Sequence, residues 1–581
     1  MNQQSEQNMR PFIIKVAVMR PLTAVKIKLP ESYGNDVVYE AAIDDSEYEK
    51  YQGNFEYSFE EKGTHLIRFR GNIPGLQIRD KKIHDDTIRR CTAGLPSPKM
   101  DAGIGLTRKL PKINPSKYER GAYLYEYFFV NVMQWGDIPW KTMESMFTKC
   151  RYLTIRATDA PDLSRVTSMR EMFSNATSFN SPIGHWDVSN ISDMSGLFNE
   201  AEHFNQSLET WNTHRVKDMS ATFCRAKRFN QPLNKWDTGN VQDMNGMFLD
   251  AKLFNQPIEA WDTHNVEDMS LMFSGAEKFN QPIGHWDTGN VQNMTQMFYK
   301  AKEFNQPIGD WNTHQVRHIN HMFSFAEAFN QPLNNWDTHQ VDNMEGMFCF
   351  AEAFNQPLDK WDTGNVESMS EMFECAESFN QPINAWDTHN VQEMFMMFFG
   401  AKTFNQPLNH WNTGNVKNMC HMFRETDAFN QDIGTWDVHN VEDMSFMFYK
   451  AISFNQPLNA WNMHNVRDMS SMFEDAVSFN QPLDKWDTGN VKNMIHMFRG
   501  AKAFNQPLNT WNTENVECMI RMFEDAESFN QPLDKWNTQS IEALENVENM
   551  FRGASAFNQP EEKRPNFEGK PKKKKSKYGL W

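Results

Sequence analysis

Histidine stands three places after a tryptophan at His214, His264, His314, His339, His389, His439 and His464, sharing that place with Gly239, Gly289, Gly364, Gly414 and Gly489. In stacked copies of a repeat, His314 with His339 or His439 with His464 would come within reach of a shared zinc-class ion. A place that also accepts glycine, serine, glutamate or glutamine reads better as a solvent-facing turn in the left-handed conformation, and no metal is assigned to it. Carboxylates such as Asp262, Glu267 and Asp268 recur copy after copy, whereas a catalytic dyad is a singular, asymmetric constellation in a pocket. No glycine-rich phosphate loop, Ser-His-Asp grouping or zinc motif stands out, so the chain reads as a protein that is not an enzyme and carries no cofactor. The seven cysteines (Cys91, Cys150, Cys224, Cys349, Cys375, Cys420, Cys518) are odd in number, lie mostly in different repeat registers and include no CxxC pair. A disulfide framework is therefore not expected.

The elements that position these side chains are repeats. Fifteen tryptophans recur every 25 residues from Trp186 to Trp536, the mark of one supersecondary unit copied and stacked, each copy burying its apolar face against its neighbours. In the copy from Phe254 to Lys278, Val266, Met269, Met272, Phe273 and Ala276 are spaced i, i+3, i+6, i+7, i+10, which predicts one face of a short amphipathic helix. Asp262 and Thr263 sit where N-cap acceptors belong. Pro257 bars a helix from the other half, Phe254 to Trp261, which predicts a short extended strand with a turn at each end. Asn255, Asn280, Asn305, Asn330 and Asn355 form a column whose amides would satisfy backbone groups of successive turns. The tryptophan and Met-Phe columns are read as core.

The fold class expected is therefore α/β: a leucine-rich-repeat-like solenoid of about seventeen such units, preceded by a small all-β sandwich. Residues 1–10 are expected to be disordered, and 11–82 to form the sandwich from β-rich runs such as Ile13 to Val18, Val25 to Leu29 and Thr64 to Arg70. Residues 83–134 read as a connecting region, 135–560 as the solenoid with capping units at both ends, and 561–581 as a basic disordered tail. The formal net charge of −17 argues against a specific nucleic-acid partner. Lys572, Lys573, Lys574 and Lys575 form a candidate contact for a polyanion or an anionic membrane surface, beside the plainer reading of a solvated tail. No run of residues approaches a transmembrane span, and the first residues lack a classical export signal.

The repeat Trp-Asp-x-x-Asn-Val-x-x-Met-x-x-Met-Phe-x-x-Ala-x-x-Phe-Asn-Gln-Pro-Leu resembles the bacterial surface protein repeat of about 26 residues found in BspA-like leucine-rich-repeat surface proteins. The lead-in Trp135-Gly136-Asp137-Ile138-Pro139-Trp140 and Asp159-Ala160-Pro161-Asp162-Leu163-Ser164 is similar to that family's usual start. The segment Tyr57 to Phe69 is similar to the last hairpin of a PKD-like sandwich. What the resemblance implies is a non-enzymatic protein, secreted or at the cell surface, that mediates adhesion or other protein contacts; the missing export signal leaves a cytoplasmic place open. Recognition, of a protein or a glycan, would fall to the variable places. These are the residue before each tryptophan (Lys235, His285, Asp310, Asn335, Lys360, His410) and the outward helix positions (Gln242, Glu267, Gln292, Arg317, Gln392, Lys417). The alternative is a structural spacer whose repeats set distance while the terminal segments make the contacts.

Overall fold

The computed structural model describes residues 9–18, 23–28, 37–59, 63–71, 73, 75–79 and 129–567. The expectations for residues 1–8, for most of the connecting region and for Lys572 to Lys575 lie outside the described residues. The chain divides into two compact units, Met1–Gln281 and Pro282–Trp581.

The first unit begins with two antiparallel sheets. One joins β4 (Glu49–Gln52), β3 (Val38–Ile43), β6 (Gly63–Arg70), β1 (Phe12–Val18) and β8 (Phe129–Gln134), in that order, and β8 then pairs in parallel with β9 (Thr154–Ile155). The other has the order β5 (Phe55–Phe59), β2 (Thr23–Lys28), β7 (Gln77–Arg79). Alternation decides the faces. Phe12, Ile14 and Val16 are buried while Lys15 between them is exposed, and β1 lies against β6 with Phe12 opposite Phe69 and Ile14 opposite Ile67. Phe55 of the smaller sheet meets Phe69 edge-on, ring centroids 5.5 Å apart. The stretch read as a connection thus ends in a strand, and through β8 and β9 the sheet runs on into the first coil of the repeats.

At that junction Arg10 is held rather than loose. Its Nε donates to Asp137 Oδ1 at 2.9 Å and its backbone N–H to Asp137 Oδ2 at 2.9 Å. Asp159 accepts from the backbone N–H groups of Trp135 and Gly136, both at 3.0 Å. Gly136 has φ +69°, and a β-carbon there would fall 2.4 Å from the carbonyl oxygens of Arg10 and Pro11. The lead-in motif is therefore a clasp between the β-rich segment and the first coil.

The repeat half expected to be helical is not a helix. Among the described residues there is no α-helix, only two short 3-10 turns, Leu544–Val547 and Glu561–Lys563. The reason lies in where the backbone donors go. In the first unit the N–H groups of Met219, Ala221, Phe223 and Arg225 donate to Asp243, Asn245, Met247 and Leu249 of the next coil, at 2.5 to 3.0 Å, while Thr222, Cys224 and Ala226 donate three residues back. In the second unit Met469, Ser471, Phe473 and Asp475 donate likewise to Asn493, Ile495, Met497 and Arg499. A helix sends every donor four residues back; here alternate donors cross to the neighbour. The geometry requires two left-handed residues per coil, such as Ala221 (φ 50°) with Arg225 (φ 56°) and Ser471 (φ 54°) with Asp475 (φ 57°). Each costs about 1–2 kcal/mol when not glycine, offset by a donor that would otherwise be orphaned at about 1–3 kcal/mol.

The strand was also expected in the wrong half. The segment around Pro257 forms no strand, and the β-bridging falls instead between Val and Met, as single parallel bridges Asp218 to Asp243 to Asp268 in the first unit and Asp443 to Asp468 to Asn493 in the second. The α/β assignment is thereby corrected to coils of turns with one bridging residue each. The apolar columns are interior. Phe298 and Phe323 are fully buried and stack at 5.7 Å, and Trp311 and Trp336 are each 3% exposed and parallel to within 5° at 6.3 Å.

Candidate functional site

From Trp211 onward the tryptophans whose indole bond is described are fixed at both ends of the ring, whereas the indole N–H groups of Trp135, Trp140 and Trp186 are buried without a hydrogen-bond partner. Trp361 packs its ring in the column and its Nε1–H donates to the carbonyl of Leu333, 28 residues back, at 3.0 Å; Trp236 does the same with Leu208 at 3.1 Å. That bond holds the residue just before the tryptophan at the surface. Lys235, His285, Asp310, Asn335, Lys360 and His410 are all exposed. In the first unit the Nζ of Lys235 lies 3.2 Å from Glu209; in the second, the backbone N–H groups of Lys360 and His410 each donate to an asparagine of the preceding coil, Asn334 and Asn384, at 3.0 Å.

The second row flanks the bridging residue. Gln242 and Glu267 in the first unit, and Gln292, Arg317 and Lys417 in the second, are exposed, while Gln392 is half-buried. Backbone bonds hold the row in register: Glu267 N–H to Gln242 O at 2.9 Å, Arg317 N–H to Gln292 O at 3.0 Å, Lys417 N–H to Gln392 O at 2.9 Å. Lys417 Nζ also reaches Gln392 Oε1 at 3.0 Å. Further along, Arg467 and Lys492 stand in the same row and, with Asn465 and Asn490, line a hollow of about 220 Å³. Each has a loose carboxylate neighbour, Glu442 at 3.9 Å and Glu517 at 3.8 Å, so the row presents both signs of charge.

The histidine place is exposed at every histidine but the half-buried His214 and half-buried at the glycines, and it is not left-handed: neither the histidines nor Gly239, Gly289, Gly364, Gly414 and Gly489 have positive φ. The aspartate before it forms a turn. Asp262 Oδ1 accepts the N–H of His264 at 3.2 Å and lies 2.7 Å from its Nδ1; Asp387 and His389 repeat this at 3.1 and 2.8 Å. The histidine hydrogen bond holds both carboxyls below the usual carboxylate range. The residues expected to cap a helix thus make a turn with no helix behind it.

Asparagine does more than the single column suggested. Asn330 Oδ1 accepts both the backbone N–H of Asn355 and Nε2 of Gln356 at 3.0 Å, and Asn355 serves Asn380 and Gln381 in the same way. A second column, four places after the tryptophan, closes the carbonyls at the histidine place, with Asn365 Nδ2 donating to His339 O and Asn390 Nδ2 to Gly364 O at 2.7 Å. Sequence reasoning missed this column, although Asn-Val recurs in ten of the fifteen tryptophan-bearing copies. It also missed the stacking of Asp218, Asp243 and Asp268. Burial, with the two neighbouring carboxylates adding, pushes the Asp243 carboxyl up to about 6, against the pull of the Asn245 N–H. The six described cysteines are free thiols, and among the described residues no helix is long and apolar enough to cross a membrane.

Five overlapping stretches, residues 141–256, 231–334, 306–408, 382–484 and 456–564, match the family described as "Mycoplasma protein of unknown function, DUF285". No curated protein and no solved structure matches the chain. The family match supports a tandem repeat protein and does not extend to the BspA-like leucine-rich-repeat family or to a PKD-like domain. Because the matched stretches together cover most of the chain, it belongs to this Mycoplasma repeat family of unknown function.

Proposed function

We propose that the chain is a non-enzymatic repeat scaffold that binds a protein or glycan ligand, at a cell surface, through the rows before the tryptophan and beside the bridging residue. One observation carries this reading. The tryptophan and phenylalanine columns recur copy after copy and are buried, as with Phe348 and Trp361 at 0 and 4% exposure, whereas the residue before each tryptophan varies from coil to coil and is exposed throughout, and the row of Gln242 varies and is exposed apart from the half-buried Ser192, Gln392 and Glu517. A surface of varied side chains on an invariant frame binds through many modest contacts. The resemblance to BspA-like surface proteins supports the same location.

The test is cell-surface exposure followed by row exchange. Protease added to intact cells should cleave the chain, and labelled full-length protein should bind extracellular protein or glycan arrays. Replacing Lys360, His410 and Lys417 with glutamate should weaken that binding at least tenfold while leaving the urea midpoint unchanged. Complete protection of the chain inside the cells, or equal binding by the triple variant, overturns the reading.

A further inference from the structure

Two registers of the second unit hold an unusual set of side chains in three successive coils. His321, Gly346 and Glu371 occupy one register, and Ser324, Cys349 and Glu374 the other, three residues on. Backbone bonds stack them: His321 N–H to Glu345 O and Gly346 N–H to Ser370 O, both at 2.8 Å. The imidazole of His321 lies over Gly346, where a β-carbon would come within 2.0 Å of Nδ1. Only glycine leaves that room.

The tautomer follows from the hydrogen bonds. Ser324 Oγ donates to the carbonyl of Gly346 at 2.5 Å, so its oxygen is left to accept from His321 Nδ1, 3.2 Å away. The proton therefore sits on Nδ1 and Nε2 carries the lone pair, the arrangement of a metal-ligating histidine whose other nitrogen is anchored. That Nε2 is buried and has no hydrogen-bond partner; His321 is 8% exposed, and the nearest carboxylate oxygen, of Glu345, is 3.8 Å away. His321 also acts electrostatically on both Glu371 and Glu374.

Beside it, Cys349 (3% exposed) and Glu374 (2% exposed) are buried, with the thiol 3.4 Å from Glu374 Oε2. One ligand atom each from Cys349, Glu371 and Glu374 lie within 4.8 Å of one another. Among the described residues neither glutamate has an ion-pair partner, whereas at the register of Glu374 the buried Glu474 and Glu524 are both held by Arg499, at 2.6 and 3.0 Å. A buried carboxylate without a cation is costly. Here no cation pairs closely with Glu374, Arg424 acting on it only from further off, and the Cys349 thiol and the His321 imidazole stand in its neighbourhood.

We propose that Cys349, Glu371 and Glu374 bind a divalent cation of the zinc class, with the fourth position open to water or to His321 once its Nε2 turns away from Glu345. Thiolate and carboxylate belong to the ligand set such an ion accepts, and bonds of about 2.0–2.3 Å place tetrahedral donors roughly 3.3–3.8 Å apart, so these three side chains, now within 4.8 Å of one another, draw in by about 1 Å. Glu371, half-buried, is the open side. Binding replaces the thiol proton by the metal: Cys349–SH and M²⁺ give Cys349–S–M and H⁺. Because that proton must leave, uptake weakens as the pH falls.

The test uses the full chain, stripped with chelator and titrated with Co²⁺ as a coloured stand-in for Zn²⁺. One equivalent should bind, release protons and give a near-ultraviolet cobalt–thiolate band. C349S should abolish the band, and E374Q should weaken Co²⁺ at least tenfold. Serine already fills the Cys349 register at Ser324, and urea midpoints check that both variants fold. Absence of stoichiometric uptake or of the band in the wild-type chain overturns the proposal whatever the variants do. So does a band that survives C349S, or E374Q binding as tightly as wild type.

Discussion

Asp243→Asn should stabilise the first unit at neutral pH, and the gain should fade in acid. Asp243 Oδ1 accepts the Asn245 N–H at 2.8 Å, and its bridge partners in the coils on either side are Asp218 and Asp268. Burial and those carboxylates raise its carboxyl from 3.8 to about 6. An acid raised on folding contributes no penalty below its unfolded value, where both states are protonated. Stability is lost as the pH rises through the window from about 4 to 6, reaching about 3 kcal/mol at most once both states are ionised. Asparagine keeps the accepting oxygen and drops the charge. The second unit already uses it there: Asn343 Oδ1 accepts the Glu345 N–H at 2.7 Å and Asn418 Oδ1 the Cys420 N–H at 3.0 Å. The expected gain is therefore up to about 3 kcal/mol at pH 8 and about 1 kcal/mol near pH 4.5. Amide hydrogen exchange across residues 219–268, at both pH values, reads it locally, because a repeat array opens coil by coil. A gain of equal size at both pH values, or none at pH 8, would refute the argument.

Far-ultraviolet circular dichroism of the full chain should lack the α-helical double minimum; a strong helical spectrum would contradict the alternating donor pattern. Trp361→Phe keeps the ring stack but leaves the Leu333 carbonyl without its indole donor, a loss of about 1–3 kcal/mol measurable as a lower urea midpoint. Asn355→Ala removes the acceptor shared by the Asn380 N–H and Gln381 Nε2 and should cost a similar amount, whereas Asn355→Asp, which retains an oxygen there, should cost clearly less. Gly136→Ala drives a β-carbon into the Arg10 and Pro11 carbonyls at 2.4 Å, so limited proteolysis between the β-rich segment and the first coil should accelerate.

What the sequence shows of the fold is its burial, and what it hides is its hydrogen bonding. The 25-residue period and the columns of Trp, Met and Phe name the interior residues correctly, because burial depends on which side chains are apolar and how they recur. Secondary structure depends on where each N–H goes, and the spacing of Val266, Met269, Met272 and Phe273 suits a chain of turns as well as a helix. A signal against the helix was present. Glycine recurs inside the apolar half at Gly196, Gly246 and Gly346, and again at Gly275, Gly400 and Gly500, and all six have φ between 57° and 70°. A helix interior has no use for a residue that tolerates positive φ. The variable rows were legible as exposed places, Gln392 excepted, since variation itself marks them. The buried group around Cys349 was not, because its members come from three successive copies of the repeat and adjoin only once the coils stack.

The division between columns and rows also explains how such a chain tolerates change. Alternate backbone donors of each coil, the indole N–H groups from Trp211 onward and the asparagine oxygens bond to neighbouring coils, so stability resides largely in contacts made by residues that recur. A side chain such as Lys360 or His410 uses only its backbone N–H for the frame, and its replacement should alter what the surface recognises while leaving the stack intact. The buried polar exceptions break that division: Glu374 and Cys349 occupy frame positions with side chains that no neighbouring coil fully compensates. If they served the frame alone, an apolar pair of similar volume would be neutral or stabilising there. Cys349→Val combined with Glu374→Met should therefore raise the urea midpoint of the metal-free chain, at the cost of whatever that site holds.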